Sequence, residues 1–208
     1  MKKIISSLLI LLLTVMGSAC GGNKAEPFTA NVSVNTEHHT IHHAEIKIKG
    51  YGTVTLALDE TIAPITVKNF IDLAKSGYYD GLTFIRVQQN FVIQGGEGKT
   101  STPAIKGEFA SNGVENNLSH RKGIISMART TEKDSASSQF FIMLADNAGL
   151  DGDYAAFGWV TKGMNIIEEV CADIPNNAYL NSYGFLDERY QPVIEKITIT
   201  EHEYVINY

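Results

Sequence analysis

Gly123-Ile124-Ile125-Ser126-Met127-Ala128-Arg129-Thr130 and, further along, Ser138-Gln139-Phe140-Phe141-Ile142 decide how the chain folds. Each is a short apolar run with β-branched or aromatic residues and polar or glycine flanks, which predicts strands over Ile124–Ala128 and Phe140–Leu144. Runs of the same kind occupy Thr83–Val87, Phe91–Gln94 and Phe157–Thr161. Glu45-Ile46-Lys47-Ile48 alternates polar and apolar, Gly50-Tyr51-Gly52 turns, and Thr53–Leu58 alternates again, so these residues form a hairpin. Val193–Thr200 supplies a last alternating strand. Only two segments carry a helical period. Pro64 opens the first, with Val67, Phe70, Ile71 and Ala74 on one face and Gly77 as its stop. Met164–Ala172 is the second, through Ile166, Ile167 and Val170. Eight strands, two helices and no βα alternation predict a mainly β domain over 44–203 with a tail at 204–208. The expected architecture is a closed eight-stranded antiparallel β-barrel capped by two α-helices.

The composition excludes several classes of function. With 44% apolar and 19% charged residues in 208, the chain can bury a core and is neither disordered nor a polytopic membrane protein. A formal net charge of −6 without a basic stripe argues against nucleic acid as a partner. Two cysteines, Cys20 and Cys171, cannot make a disulfide framework.

The N-terminus reads as an address. Lys2 and Lys3 precede an apolar run from Ile4 to Met16, too short for a bilayer span, and Gly17-Ser18-Ala19-Cys20 follows. This resembles a bacterial lipoprotein signal: residues 1–19 are cut off and Cys20 is lipidated, which places the protein in the cell envelope on the periplasmic or extracellular side. An ordinary secretory peptide is the competing reading. The mature chain then holds 15 basic and 23 acidic residues, a net charge of −8. Residues 20–43 read as a polar tether. It contains His38-His39-Thr40-Ile41-His42-His43, whose imidazoles suggest metal binding only if the segment is helical; a solvated linker is the default.

Conventional catalytic constellations are missing. There is no GxSxG elbow, HExxH pair or P-loop, and no His beside Cys171 to activate it. What the strands carry is an arginine, amides and aromatics: Phe84-Ile85-Arg86-Val87, then Phe91-Val92-Ile93-Gln94-Gly95-Gly96, then Met127-Ala128-Arg129-Thr130, Asp134-Ser135-Ala136-Ser137-Ser138-Gln139-Phe140-Phe141-Ile142, Ala145-Asp146-Asn147 and Leu150-Asp151-Gly152. In this order the chain resembles the cyclophilin family of peptidyl-prolyl isomerases over roughly residues 44 to 200.

The resemblance implies an isomerase of Xaa-Pro bonds in exported polypeptides, with Arg86 as the catalytic arginine and Gln94 as the amide that braces it. It implies a proline-ring pocket of Phe91, Val92, Phe141 and Leu150, and main-chain grips at Ala128, Arg129, Thr130 and Gln139. Tyr154 stands where many members have a histidine that hydrogen-bonds the substrate carbonyl. No bond is made or broken, so no cofactor or metal is expected. Two departures bear on ligands: Val92 replaces a methionine, and Gly149 replaces a large aromatic at the pocket rim, which together imply weak cyclosporin binding. A monomer is expected. A non-catalytic proline-peptide module or holdase is the alternative, and a metal-scavenging lipoprotein working through His38–His43 is a third.

Overall fold

The computed structural model describes residues 38–98 and 100–207. The segments expected from the sequence to be a signal peptide (1–19), a lipidation site (Cys20) and a tether as far as residue 37 lie outside the described residues. Eight strands, β1 (His38–Ile48), β2 (Gly52–Asp59), β3 (Phe84–Gln88), β4 (Val92–Gly95), β5 (Ile124–Met127), β6 (Phe140–Met143), β7 (Ala156–Lys162) and β8 (Ile194–Asn207), form one sheet. Its order is β3-β4-β6-β5-β7-β2-β1-β8, and every named pair is antiparallel.

The short apolar runs become strands with two apolar faces, because alternation sends neighbouring side chains to opposite sides. Phe140 and Ile142 on β6, Ile93 on β4 and Ile125 and Met127 on β5 point to the inner core. Their neighbours Phe141, Met143, Val92 and Ile124 join a second apolar cluster with Ala156. The inner core gathers around helix α1 (Pro64–Lys75), whose Phe70 ring lies 5.3 Å from Tyr79, 5.5 Å from Phe140 and 5.4 Å from Phe157. Each fully buried aromatic of this kind contributes about 2–3 kcal/mol by area.

Helix α1 starts at Pro64 and is followed by Gly77 at a φ of 74°, as the sequence predicts. Its preceding residue, Ala63, has no side chain to cap the first turn. Glu108 does so from far along the chain: its carboxylate accepts from the backbone of Ile65 (3.0 Å) and Thr66 (2.7 Å) and from the Thr66 hydroxyl (2.7 Å). Three bonds to one buried carboxylate at the positive end of the helix are worth about 1–3 kcal/mol over an uncapped start. Helix α2 (Met164–Ala172) buries Ile167, Val170 and Cys171. Burial, with help from Glu168, pushes the Cys171 thiol up to about 12.

The expected closed barrel is not what forms. The sheet is a curled half-barrel, and its end strands β3 and β8 are not paired along their lengths. The chain beside them meets in a short patch, with a bridge between Thr83 and Val193 and backbone N–H bonds from Phe84 to Pro192 (2.9 Å), Ile194 to Leu82 (2.7 Å) and Gly81 to Ile194 (2.8 Å). The reason lies in residues 178–187, a small hairpin tied by a bridge between Tyr179 and Leu186. The backbone N–H of Val87 donates to Gly184 (2.8 Å), and that of Leu186 donates to Ile85 (2.9 Å). The free edge of β3 is therefore spent on this hairpin, and β8 cannot zip along it.

Strand pairing also runs past both expected domain limits. His38–His43, read as tether, belongs to β1, and the tail at 204–207 belongs to β8; Ile41 pairs with Asp59 on one side and Tyr204 on the other. The segment pairs with β8 from His38 and with β2 from Ile41, and Ile41, where both ladders meet, is fully buried. The imidazoles consequently lie along a strand instead of a helical turn. His39 Nδ1 is 2.6 Å from Asp59, and His42 Nε2 is 2.6 Å from Glu60. Among the described residues, no three His, Cys, Asp or Glu side chains gather as a metal site.

Candidate active site

Sheet register lines up the candidate residues. Arg86 pairs with Gln94, Gln94 with Phe141, Phe141 with Ser126, and Ser126 with Ala156. A single transverse row thus crosses five strands, β3-β4-β6-β5-β7, on the outer face of the sheet. Beside it lies a cavity of about 270 Å³ lined by Arg86, Phe91, Val92, Gln94, Ala128, Arg129, Phe141, Leu150, Tyr154 and Phe185. Nine of these ten are residues the sequence singles out, and Phe185 is the addition. Gln139 and Thr130 do not line it. Gln139 stands behind Gln94, whose amide donates to it at 2.9 Å, and the Thr130 hydroxyl bonds Ser135 at 2.8 Å.

Arg86 is held from several directions. Its Nη1 donates to Gln94 Oε1 at 3.2 Å, Nη2 to Gln88 Oε1 at 2.5 Å, and Nε to the Tyr183 carbonyl at 2.7 Å. Its guanidinium carbon is 5.7 Å from the Phe91 ring centre and 5.8 Å from that of Phe185, within cation–π range of both. Burial lowers its proton affinity below the usual arginine value, with Tyr154 opposing. A guanidinium stays charged regardless. Of five N–H groups, three are engaged by protein, which leaves two for a ligand. Phe91 reaches the site through a tight turn after β3, in which Asn90 takes a φ of 58°, a conformation asparagine tolerates better than most residues.

The opposite wall carries a second cation. The Arg129 side chain lies 4.7 Å from the Tyr154 ring centre and 5.1 Å from that of Phe109, and its Nε donates to the Asp153 carbonyl at 2.9 Å. Leu150 ends a short 3-10 turn over 148–150, and Gly149 within it is exposed. This arrangement offers an apolar ring-sized hollow and a fixed cation at one side, and among the described residues that line it there is no Ser, Cys, His or carboxylate. Such a site is suited to bind a planar group and to polarise it as it twists.

Comparison with known proteins points the same way. The sequence model described as Cyclophilin type peptidyl-prolyl cis-trans isomerase/CLD matches residues 43–200. The chain is 48% identical over 130 residues to Peptidyl-prolyl cis-trans isomerase A of Dickeya dadantii, covering 57% of this chain and 66% of that protein. To a peptidyl-prolyl cis-trans isomerase of Acinetobacter baylyi it is 39% identical over 153 residues, covering 68% and 78%. Among solved structures, a cyclophilin type isomerase of Cryptosporidium parvum aligns with a TM-score of 0.66 at 26% identity, over 78% of this chain and 99% of that one. The structure of that protein in the presence of the dipeptide Ala-Pro aligns with a TM-score of 0.63 at 26% identity, over 77% and 99%.

Sequence reading missed His120. It is 1% exposed and stacks against Phe141, with centroids 6.1 Å apart and planes at 20°. Its Nδ1 lies 2.8 Å from Asp151 Oδ1 and its Nε2 lies 3.0 Å from the Ser126 hydroxyl, so it backs the row from behind. A lone histidine in a polar segment carries no local signal, and its partner is 31 residues away. Burial lowers its proton affinity below the usual histidine value, although Asp151 opposes this. Folding therefore favours the neutral ring. The unfolded chain binds more protons below a pKa of about 6.5, so this contribution falls as the pH drops through that value. The urea midpoint, followed by fluorescence of the single tryptophan Trp159, is expected to fall between about pH 7.5 and about pH 5.5. In His120→Gln this part of the slope should flatten; an equal slope in both proteins would remove His120 as its source.

Proposed function

Because the chain belongs to the cyclophilin-type peptidyl-prolyl cis-trans isomerases, a family of enzymes, we propose that its outer-face groove speeds Xaa-Pro exchange in exported polypeptides with Arg86 as the catalytic cation. An Xaa-Pro bond resists rotation by roughly 18–20 kcal/mol because nitrogen shares its lone pair with the carbonyl. Rotation returns that pair to a pyramidal nitrogen, which then accepts a hydrogen bond that the planar amide cannot. A cation beside the nitrogen favours the twisted state over both planar ones. The observation that carries the reading is Arg86 itself, fixed at the rim of the hollow with two N–H groups uncommitted.

In this reading the proline ring enters among Phe91, Val92, Phe141 and Leu150. An apolar wall suits a ring that has no N–H, and the rigid row behind Phe141 keeps it from yielding. Tyr154 and the backbone of Ala128 and Arg129 hold the preceding carbonyl and main chain. A rate gain of about 10⁵ needs roughly 7 kcal/mol. One bond from a charged donor supplies about 1.5–3 kcal/mol. Orientation and exclusion of water by the pocket supply the remainder. The Ala-Pro dipeptide named with the Cryptosporidium protein supports a proline-bearing ligand for this pocket. Export and lipid anchoring are proposed from Lys2-Lys3, the apolar run and Cys20.

Arg86→Ala should cut kcat on a proline tetrapeptide by about 100-fold or more while peptide affinity changes far less. An unchanged kcat would remove Arg86 from the chemistry and leave a peptide-binding module. The rim supplies a second test. A Cβ at Gly149 would meet only the Asn147 side-chain oxygen, at 3.0 Å, a tight contact that a small shift of that side chain relieves, and Gly149 itself is exposed. Gly149→Trp should tighten cyclosporin by about 10-fold or more through added apolar contact, with isomerisation nearly unaltered. Tight inhibition of the unaltered protein would contradict this. For location, Cys20→Ser should move the protein from the membrane fraction to the soluble exported fraction. Unaltered protein found free of membranes would refute the anchor.

A further inference from the structure

Residues 178–187 do more than seal an edge. The segment is a compact hairpin in which Leu180 N–H donates to the Phe185 carbonyl at 2.8 Å and Asp187 N–H to that of Ala178 at 2.9 Å. Asn181 organises its tip, its side-chain oxygen accepting from Tyr183 N–H at 3.0 Å. Ala178 and Leu186 are buried in the main core, which anchors the base. Three of its groups converge on β3 beside Arg86: Gly184 takes the N–H of Val87, Tyr183 takes the Nε–H of Arg86, and the Phe185 ring lies within cation–π reach of the same guanidinium. Yet Tyr183 is 68% exposed and Phe185 38% exposed, so neither is there to fill the core.

We propose that the 178–187 hairpin is a clamp that orients Arg86, with Tyr183 and Phe185 as positioning residues for the isomerisation. The inference rests on the assignment of Arg86 as the catalytic cation. Nε is the donor that sets the direction of the guanidinium plane, because rotation about the last side-chain bonds swings both Nη groups around it. With Nε donating to a backbone carbonyl of the hairpin, Nη1 to Gln94 on β4 and Nη2 to Gln88 on β3, the plane is fixed by acceptors on three different elements. Gln88 and Gln94 hold only the Nη ends, both through flexible side chains, so without the Tyr183 carbonyl the Nε–H loses its backbone acceptor and the plane can tilt. The clamp closes only with glycine at its contact point. Gly184 has a φ of 87°, and a Cβ there would stand 2.4 Å from the Val87 carbonyl oxygen, a backbone atom that cannot step aside.

The test uses the purified full chain with Gly184→Ala, Phe185→Ala, Phe185→Tyr and Gly50→Ala. Gly50 has a similar φ of 85° in the β1–β2 turn, but nothing lies within 4 Å of its Cβ position, so its variant carries backbone strain without releasing the clamp. Expected results are a kcat on a proline tetrapeptide lowered about 10-fold or more in Gly184→Ala and Phe185→Ala, with KM within about 3-fold of the parent. Phe185→Tyr, which keeps the ring, and Gly50→Ala should retain the parent kcat. Arginine Nε–H spectra give a reading independent of turnover. The Arg86 Nε–H signal should be protected from solvent exchange in the parent and in Gly50→Ala, and should lose that protection in Gly184→Ala. An active parent whose Gly184→Ala and Phe185→Ala variants keep full kcat, or an Arg86 Nε–H equally protected in Gly184→Ala, overturns the clamp and leaves the isomerase assignment standing. A parent that fails to turn over the peptide overturns that assignment, and the clamp with it.

Discussion

The direction of one guanidinium governs how the rest of the molecule is to be understood. A long cationic side chain on a surface samples many rotamers, and freezing it costs up to about 2 kcal/mol of entropy. Arg86 meets that cost in advance through Gln94, Gln88 and the Tyr183 carbonyl. Gln94 is itself held by Gln139, so the order extends from β3 into the segment that leads to β6. The donors that remain are therefore aimed before any ligand arrives. Preorganisation of this kind is what separates a polarising site from a merely positive surface.

Such aim requires a stiff base. The sheet supplies it by being apolar on both faces, with Phe140 and Ile142 directed inward and Phe141 and Met143 outward. A one-residue slip of β6 would exchange the two sets and destroy core and pocket together, so register is strongly specified. His120 adds a polar brace to this row through Ser126 and Asp151. Glu108 ties the loop before β5 to the start of α1 and so fixes the helix that plugs the core. Both braces are buried polar groups with their partners in place, and such networks specify one arrangement over its neighbours.

Much of this was legible in the chain. Strand positions followed from short apolar runs such as Phe140–Leu144, and the limits of α1 from Pro64 and Gly77, because those signals are local. The pocket residues were legible through their order along the chain. What escaped notice depends on distant partners. The openness of the sheet escaped because it is decided by residues 178–187, which have no period of their own and find their partners on β3. His120 and Glu108 escaped because each acts on an element roughly 31 or 42 positions away. His38–His43 was misread as linker since histidine carries little strand preference; its pairing comes from β2 and β8. Composition speaks for neighbours in sequence, and these contacts are made between strangers.

The buried thiol on α2 has a consequence for a protein read as exported. With its pKa raised to about 12, roughly one molecule in 10⁵ carries Cys171 as the reactive thiolate at neutral pH. Burial blocks approach of an oxidant as well, the residue being 4% exposed. Opening the chain restores an ordinary thiol of pKa about 8.5 and presents it to the medium. In an oxidising compartment the sulfur is then chemically silent for as long as the fold holds. A chain that opens there can be captured as a mixed disulfide, and a bulky adduct on α2 no longer fits back among Ile167 and Val170. Unfolding in such a place becomes a ratchet with a covalent pawl.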